Sequence, residues 1–317
     1  MRGLLLPSIA VIAAIVVGCG SSGSGPHRVT LVLDFTPNAA HAGIYEASAK
    51  GLDGRHGVKL VIRQPTASSD SLKLLAAGRA DIAVADIHDL GLARERGEDL
   101  VGIGALVQRP LASVIAGPGV SRPRQLAGRR VGVTGVPSDD AVLRAVMRGD
   151  GGDPARVRKV TIGFSAVASL LAGRVAAATA FWNVEGVTLR RRGLRTHEFR
   201  VDSYGAPPYP ELVLVVRRDE LRSQAARLRD TLAALADGTR AAIADPSGAV
   251  RLIAAASSSD AGLVRAELAA IAPALQPPLR LDRQALAGWA SFDTRFGILQ
   301  RRPDLGRTFD FALGPGG

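Results

Sequence analysis

An acid, an aromatic ring, an amide, a histidine and a tyrosine stand close together in one short stretch of the sequence. Asp34, Phe35, Asn38, His41 and Tyr45 follow an apolar run that predicts a strand, and small apolar residues at helical spacing come after them. Such side chains can exchange hydrogen bonds with a polar ligand and offer it a flat apolar face. In open α/β sheets, ligands bind beyond the carboxyl ends of the strands. This strand-to-helix turn is therefore expected to form one wall of a small-molecule site.

A second group of polar and aromatic residues stands at another strand end. Trp182, Asn183 and Glu185 follow a predicted strand at 176–181 and open a predicted helix. Trp182 could simply belong to the core. A flat heterocycle, however, needs an aromatic face and a few polar groups directed at its edge, and this set supplies both. The position at a strand end favours the ligand-facing role.

A third strand end carries acids but predicts no metal site. Asp86, His88 and Asp89 follow a predicted strand at 81–85 and could line the same cleft, although Asp86 could equally cap the next helix. The five histidines show no paired spacing, and the sequence has one cysteine, so no metal site is expected. No nucleophile elbow, phosphate loop or dinucleotide fingerprint is present. The sequence thus predicts a binding site without catalytic groups or cofactor.

The elements that position these groups alternate between strand and helix. Strands are predicted at 29–33, 58–63, 81–85 and 101–107. A second series, which includes a strand at 157–164, begins after a Gly-Pro-Gly break at 117–119. This alternation predicts an α/β protein with two lobes, each a mostly parallel sheet flanked by helices, and a ligand cleft between them. Beyond about residue 219 the apolar spacing is helical throughout.

The lobe boundaries follow from this order. Residues 28–113 are assigned to the first lobe and 114–212 to the second, and 213–317 return to the first as a strand and helices. The chain would then cross between lobes twice, near 113–120 and 210–216. Two crossings are expected to form a hinge.

The N-terminus carries the features of an export signal. Arg2 precedes an apolar run over 4–17, and Cys19 and a Gly/Ser-rich segment follow. Cys19 could be no more than a small apolar residue ending that run. Its place as the chain's one cysteine favours a lipidation site, with 1–18 a signal peptide and 19–27 a linker. We therefore expect a lipid-anchored monomer on the outer side of a cell membrane.

The charge of the chain invites a nucleic-acid interpretation, which the composition opposes. The 317 residues carry a formal net charge of +11. The basic residues are nearly all scattered arginines, and aromatic residues make up only 4% of the chain. A base-stacking surface needs aromatic rings among clustered cations. Nucleic-acid binding is therefore not expected.

Four motifs, taken together, resemble the NMT1/THI5-like family across nearly all of the chain after residue 27. The resemblance implies a type II periplasmic-binding-protein fold. It also implies the role of the family's bacterial lipoproteins, which deliver pyrimidine precursors of thiamine to an ABC importer and its permease subunits. The motifs are the turn at 33–45, Pro-Ser-Asp at 137–139, Phe-Trp-Asn-x-Glu-Gly at 181–186, and Tyr-Gly-x-Pro-x-Tyr-Pro at 204–210.

The resemblance also implies a two-walled binding site. One wall would hold Phe35, Asn38, His41 and Tyr45, and the other would hold Trp182, Glu185, Tyr204 and Tyr209. The family often has Trp at the place of Phe35 and an aromatic-glycine pair at 85–86. Those departures change the surfaces that contact the ring, so other solutes stay open as ligands, namely a riboflavin-like, sulfonate or nitrate-type molecule.

The enzymes of the family offer a less favoured alternative. Some eukaryotic relatives are pyrimidine synthases that use a histidine and a cysteine-rich iron-binding motif. This sequence has no cysteine cluster. A carrier without enzymatic activity is therefore expected.

Overall fold

The computed structural model describes residues 25–67 and 69–314, and the expected signal peptide and Cys19 lie outside them. Among the described residues, no helix combines the length and apolarity that crossing a membrane requires. The strands are β1 (His27–Val32), β2 (Val58–Arg63), β3 (Ile82–Asp86), β4 (Leu100–Val107), β5 (Ala112–Ala116), β6 (Arg130–Val133), β7 (Arg158–Thr161), β8 (Ala177–Phe181), β9 (His197–Arg200) and β10 (Leu212–Arg217).

The strands form two five-stranded sheets, in the orders β2-β1-β3-β10-β4 and β7-β6-β8-β5-β9. In the first sheet β10 is antiparallel to both neighbours, and in the second β5 is. Each reversed strand is the first strand along the chain after it has crossed from the other sheet. It enters at the edge where the parallel strands end, so it must run back against them. The predicted two-lobed α/β fold is confirmed.

The two crossings are short and lie side by side. The chain leaves the first sheet through residues 108–111 and returns through 205–211. The expected boundary between residues 113 and 114 falls inside β5, which pairs with β8 and β9. The apolar residues on both sides of 113 hid this change of sheet in the sequence. We therefore place the first crossing at 108–111, before β5.

The helices cover both sheets and continue as a long tail. They are α1 (Ala42–Ala49), α2 (Leu52–Arg55), α3 (Asp70–Ala76), α4 (Ile87–Glu95), α5 (Pro137–Gly149), α6 (Ala166–Leu171), α7 (Val187–Arg191), α8 (Arg218–Ser223), α9 (Ala225–Ala244), α10 (Pro246–Ser257), α11 (Ala261–Ile271), α12 (Arg283–Phe296) and α13 (Leu305–Thr308). Trp182–Gly186 forms a π-helical turn before α7.

The helical tail packs against the first lobe and also reaches the second. On α9, Gly238 lies so close to α1 that an added Cβ would collide with the carbonyl oxygen of Gly43. At the end of α12, Arg144 of α5 donates to the carbonyl oxygens of Phe296 and Gly297. A cation at a helix C-terminus is favourable because carbonyl groups there lack helical partners. The tail therefore joins the lobes along one side as well as completing the first.

Candidate functional site

A cavity of about 540 Å³ lies between the two sheets. The carboxyl ends of β1, β3 and β8 and the first turn of α5 meet at it, as expected for an α/β site. A cavity of this size suits a small organic molecule. Its lining includes Asp34, Phe35, Asn38, Ser71, Leu72, Asp86 and Asp89 from the first lobe, and Gly135, Ser138, Asp139, Val142, Phe164, Thr179, Phe181 and Glu185 from the second.

The turn after β1 is held by hydrogen bonds among its own side chains. Asn38 accepts from the N–H of Ala40 at 2.9 Å and donates its own N–H to Nδ1 of His41 at 3.3 Å. Nε2 of His41 therefore carries the proton, and it lies 2.8 Å from Oδ1 of Asp34. His41 is fully buried and does not line the cavity. Its contact is with Asp34, whose carboxylate it orients.

Two phenylalanines meet from opposite lobes. The rings of Phe35 and Phe164 lie edge to face with their centroids 4.4 Å apart. Phe164 was not among the predicted site residues because the strand was expected to extend over 157–164. β7 ends at Thr161, and the loop after it brings Phe164 to the cavity. An uncommon aromatic residue just beyond a strand was the signal that could have identified it.

The N-terminus of α5 faces the cavity and already holds a carboxylate. Ser138 donates its N–H to Oδ1 of Asp89 and its hydroxyl to Oδ2, each at 3.1 Å. Burial raises the pKa of Asp89 to about 6. Asp139 accepts from the N–H groups of Gly135 and Val136 at 2.9 and 3.2 Å. The N–H of Ser138 and those of the loop before α5, which could otherwise bind an anion, are thus bonded to the protein's own acids.

Asp86 plays both parts that the sequence left open. Its side chain accepts from the N–H of His88 at 2.8 Å and so caps α4, and it also lines the cavity. Behind it, His88 is fully buried, with Nδ1 2.9 Å from Asp293 and Nε2 3.0 Å from the hydroxyl of Tyr209. Burial alone would lower the pKa of His88, but Asp293 and the other nearby carboxylates raise it to about 10.

Glu211 joins the two crossings. Its Oε2 accepts from the N–H groups of Leu111 and Ala112, at 2.5 and 3.1 Å. Asp86, His88 and Glu211 also present ligand atoms within 4.8 Å of one another, a spacing that a metal ion could use. Both ring nitrogens of His88 already contact Asp293 and Tyr209. We therefore assign this cluster to holding the crossings together.

Glu185 supplies the acid of the second wall. Its Oε2 accepts from the N–H of Phe181 at 3.1 Å, and burial raises its pKa to about 7. Trp182 contacts other groups: its Nε1 donates to the carbonyl oxygen of Pro110 at 3.1 Å, and the guanidinium of Arg200 lies 4.2 Å from its ring centroid. Trp182 thus fastens the π-helical turn to the first crossing.

The structure brings half of the predicted ligand-binding residues to the cavity. Asp34, Phe35, Asn38, Asp86 and Glu185 line it, whereas His41, Tyr45, Trp182, Tyr204 and Tyr209 are not in its lining.

The three tyrosines among them are placed elsewhere. Tyr45 packs against the core of the first lobe, the ring of Tyr204 lies edge to face against Phe199, and Tyr209 is fully buried. A ligand contact for any of these residues stays a prediction. The motif resemblance placed the residues in the chain but carried no information on their burial.

Comparison with known proteins points to one family and one fold. A formylaminopyrimidine-binding protein from Halalkalibacterium halodurans is 31% identical over 214 residues, which cover 67% of this chain and 65% of that relative. The sulphonate-binding protein of Escherichia coli superposes with a TM-score of 0.70 at 15% identity, covering 89% of this chain and 92% of that one. The nitrate-binding protein of Synechocystis does so with a TM-score of 0.72 at 11% identity, covering 91% and 87%. These two likenesses show the periplasmic-binding-protein fold. The model of the NMT1/THI5 like family matches residues 38–249, and the chain belongs to that family.

Proposed function

We propose that this chain is the extracytoplasmic substrate-binding lipoprotein of an ABC importer. It binds a thiamine-precursor pyrimidine or a similar amino-bearing heterocycle between its lobes and presents it to the permease. The family and the relative that binds formylaminopyrimidine support this role. The observation that carries it is the cavity between the lobes, where Phe35 and Phe164 meet and carboxylates stand around them.

The side chains around the cavity match the needs of such a ring. Phe35 and Phe164 offer flat faces from opposite lobes, which a ligand can engage only when the lobes are close. Glu185 and Asp34 accept hydrogen bonds, and the amide of Asn38 both donates and accepts. An aminopyrimidine carries N–H donors and ring-nitrogen acceptors on its edge, so these groups can satisfy it.

Sulfonate or nitrate as the ligand is disfavoured by the same cavity. An oxyanion needs free N–H groups at a helix N-terminus or arginines directed at it. Here Asp89 accepts hydrogen bonds from the N–H and hydroxyl of Ser138, and Asp139 accepts one from the N–H of Gly135 in the loop before α5. An anion would therefore meet acceptor groups where it needs free donors.

A lipid anchor on Cys19 and the absence of catalysis complete the proposal. The anchor would hold the protein beside its permease, with the segment before β1 as a tether. Among the described residues, the buried titratable groups of the lining are carboxyl groups bonded to backbone N–H groups, hydroxyls or His41, an arrangement that suits binding of a ligand and shows no activated nucleophile.

Calorimetric titration of the purified chain tests the ligand class. Formylaminopyrimidine and related aminopyrimidines, riboflavin, taurine and nitrate form the panel. We expect saturable one-site binding of an aminopyrimidine and no heat from taurine or nitrate. If riboflavin, taurine or nitrate binds and no aminopyrimidine does, the proposed ligand class is wrong, but the proposed carrier function still stands. Turnover of the bound pyrimidine would contradict the carrier role itself.

A further inference from the structure

The lining of the cavity contains buried carboxyl groups that the lysines and arginines of the described chain leave unpaired. The lining contains six carboxyl side chains, of which Glu98 pairs with Arg96. The other five have no such partner, three from the first lobe and two from the second: Asp34, Asp86, Asp89, Asp139 and Glu185. Within residues 25–67 and 69–314, none of them forms an ion pair with Lys or Arg. The hydrogen-bond donors to them are backbone N–H groups, hydroxyls and, for Asp34, the ring of His41.

The basic residues of the lining are engaged elsewhere. Arg96 and Lys73 are exposed side chains. Arg96 pairs with Glu98 at 3.0 Å, and Lys73 donates to the hydroxyl of Ser69 at 2.9 Å. Neither cation therefore pairs with the buried acids, so a cation that enters the cavity can become their partner.

Further acids surround Glu185. Glu267 of α11 packs from the first lobe, is 4% exposed, and has a pKa raised to about 8 by its burial and then by Glu185. Asp34 acts on Glu185 in the same direction. Arg190 of α7 and Arg200 of β9 are both bonded to Glu198. In the empty cavity, burial favours the protonated form of Glu185, and a bound cation beside it would favour the ionised form.

We propose that the cavity selects its ligand as a cation, an aromatic base whose protonated ring nitrogen and neighbouring amino group form an amidinium-like pair of N–H donors. This inference rests on the proposed function and names the charge state of its ligand. Two charged N–H donors need two acceptor oxygens, and charge-assisted hydrogen bonds of this kind are stronger than neutral ones. Oδ1 of Asp34 and Oε2 of Glu185 are already bonded, so we assign Oδ2 and Oε1 to the ligand.

The aromatic pair adds to the same preference. The faces of Phe35 and Phe164 attract positive charge through their quadrupoles, most strongly where water is excluded. A neutral ring of equal shape would stack as well but would leave the carboxylates without a counter-charge. A cation gains both contacts, so its affinity should exceed that of its neutral isostere.

Two probes of nearly equal shape test the charge directly. Benzamidine is cationic at neutral pH and carries the paired N–H donors, whereas benzamide is neutral. Titrated into the purified chain at pH 7.5, benzamidine is expected to bind at least about tenfold tighter, which is 1.4 kcal/mol. Its affinity should rise between pH 6 and 8 as the carboxyls ionise, while that of benzamide stays flat.

Variants place this preference in the cavity. Glu185→Gln should reduce the ratio of the two affinities toward one, and Asp230→Asn on the exposed face of α9 should leave it unchanged. Circular dichroism checks that each variant is folded. The comparison of benzamidine with benzamide in the unaltered chain does not depend on either variant. Equal or tighter binding of benzamide, or no binding of benzamidine, overturns the inference. Formylaminopyrimidine, titrated in parallel, tests the proposed function separately: if it binds without a charge preference between the probes, only this inference fails.

Discussion

The carboxylate of Asp89 accepts both the N–H and the hydroxyl of Ser138, so an acid of the first lobe occupies the N-terminus of a second-lobe helix. These two hydrogen bonds connect α4 of the first lobe to α5 of the second beside the cavity. They also use donors to which an anion could bind. One contact thus bears on both lobe closure and ligand charge, and it can be removed by changing one side chain.

Replacing Asp89 should open the helix N-terminus to anions. In Asp89→Ala, the N–H and hydroxyl of Ser138 lose their partner, and the cavity loses one negative charge. We expect weak binding of sulfate or taurine to become measurable, at the scale of about 0.3–2 kcal/mol for charge at a helix terminus. Calorimetry on the variant and the unaltered chain measures this. An unchanged lack of anion binding would mean that the remaining carboxylates alone exclude them.

The contact between the lobes through aromatic rings predicts a modest, specific loss of affinity. Phe164→Leu keeps apolar bulk but removes the ring that meets Phe35, so the affinity for the heterocycle should fall by about 0.5–1.5 kcal/mol. Phe311→Leu is the matched control, because Phe311 is also half-buried and lies outside the cavity lining. Equal losses in both variants would argue against stacking at Phe164.

How Phe164 was missed marks the limit of prediction from the sequence. Alternating strands and helices were sufficient to predict two lobes and to place Asp34 and Glu185 at strand ends. They could not fix where a strand stops to within a few residues. The end of β7 at Thr161 decides whether Phe164 lies in a sheet or faces the cleft. Asp89 and Ser138 are 49 positions apart in the chain, so no local sequence pattern indicates that they are in contact.

Tyr209 separates a role in stability from a role in binding. Its hydroxyl lies 3.0 Å from Nε2 of His88 in a fully buried cluster. Tyr209→Phe leaves a buried N–H without its partner and should lower the free energy of unfolding by about 1–3 kcal/mol. Ligand affinity should change less than twofold. Denaturant unfolding and calorimetry together test this. Weaker binding with unchanged stability would restore Tyr209 to the ligand contacts expected from the family resemblance.

The buried acids predict that the empty protein loses stability as pH rises. The pKa values of Glu185 and Glu267, about 7 and 8 in the folded chain, lie above the usual 4.5. At pH values between the usual 4.5 and these raised pKa values, the folded state binds more protons than the unfolded state. The free energy of unfolding therefore falls from about pH 5 to pH 8. Glu267→Gln cannot ionise and should make this fall shallower. Denaturant unfolding across that range measures it, and an equally steep fall in the variant would contradict the assignment to Glu267.

A crystal structure of the protein with formylaminopyrimidine tests the central claim most directly. We predict that the ring lies between the lobes, in contact with Phe35 and Phe164, with its N–H groups directed at Glu185 and Asp34. A ligand bound outside the cavity, or an anion at the N-terminus of α5 in place of the ring, would contradict the proposal.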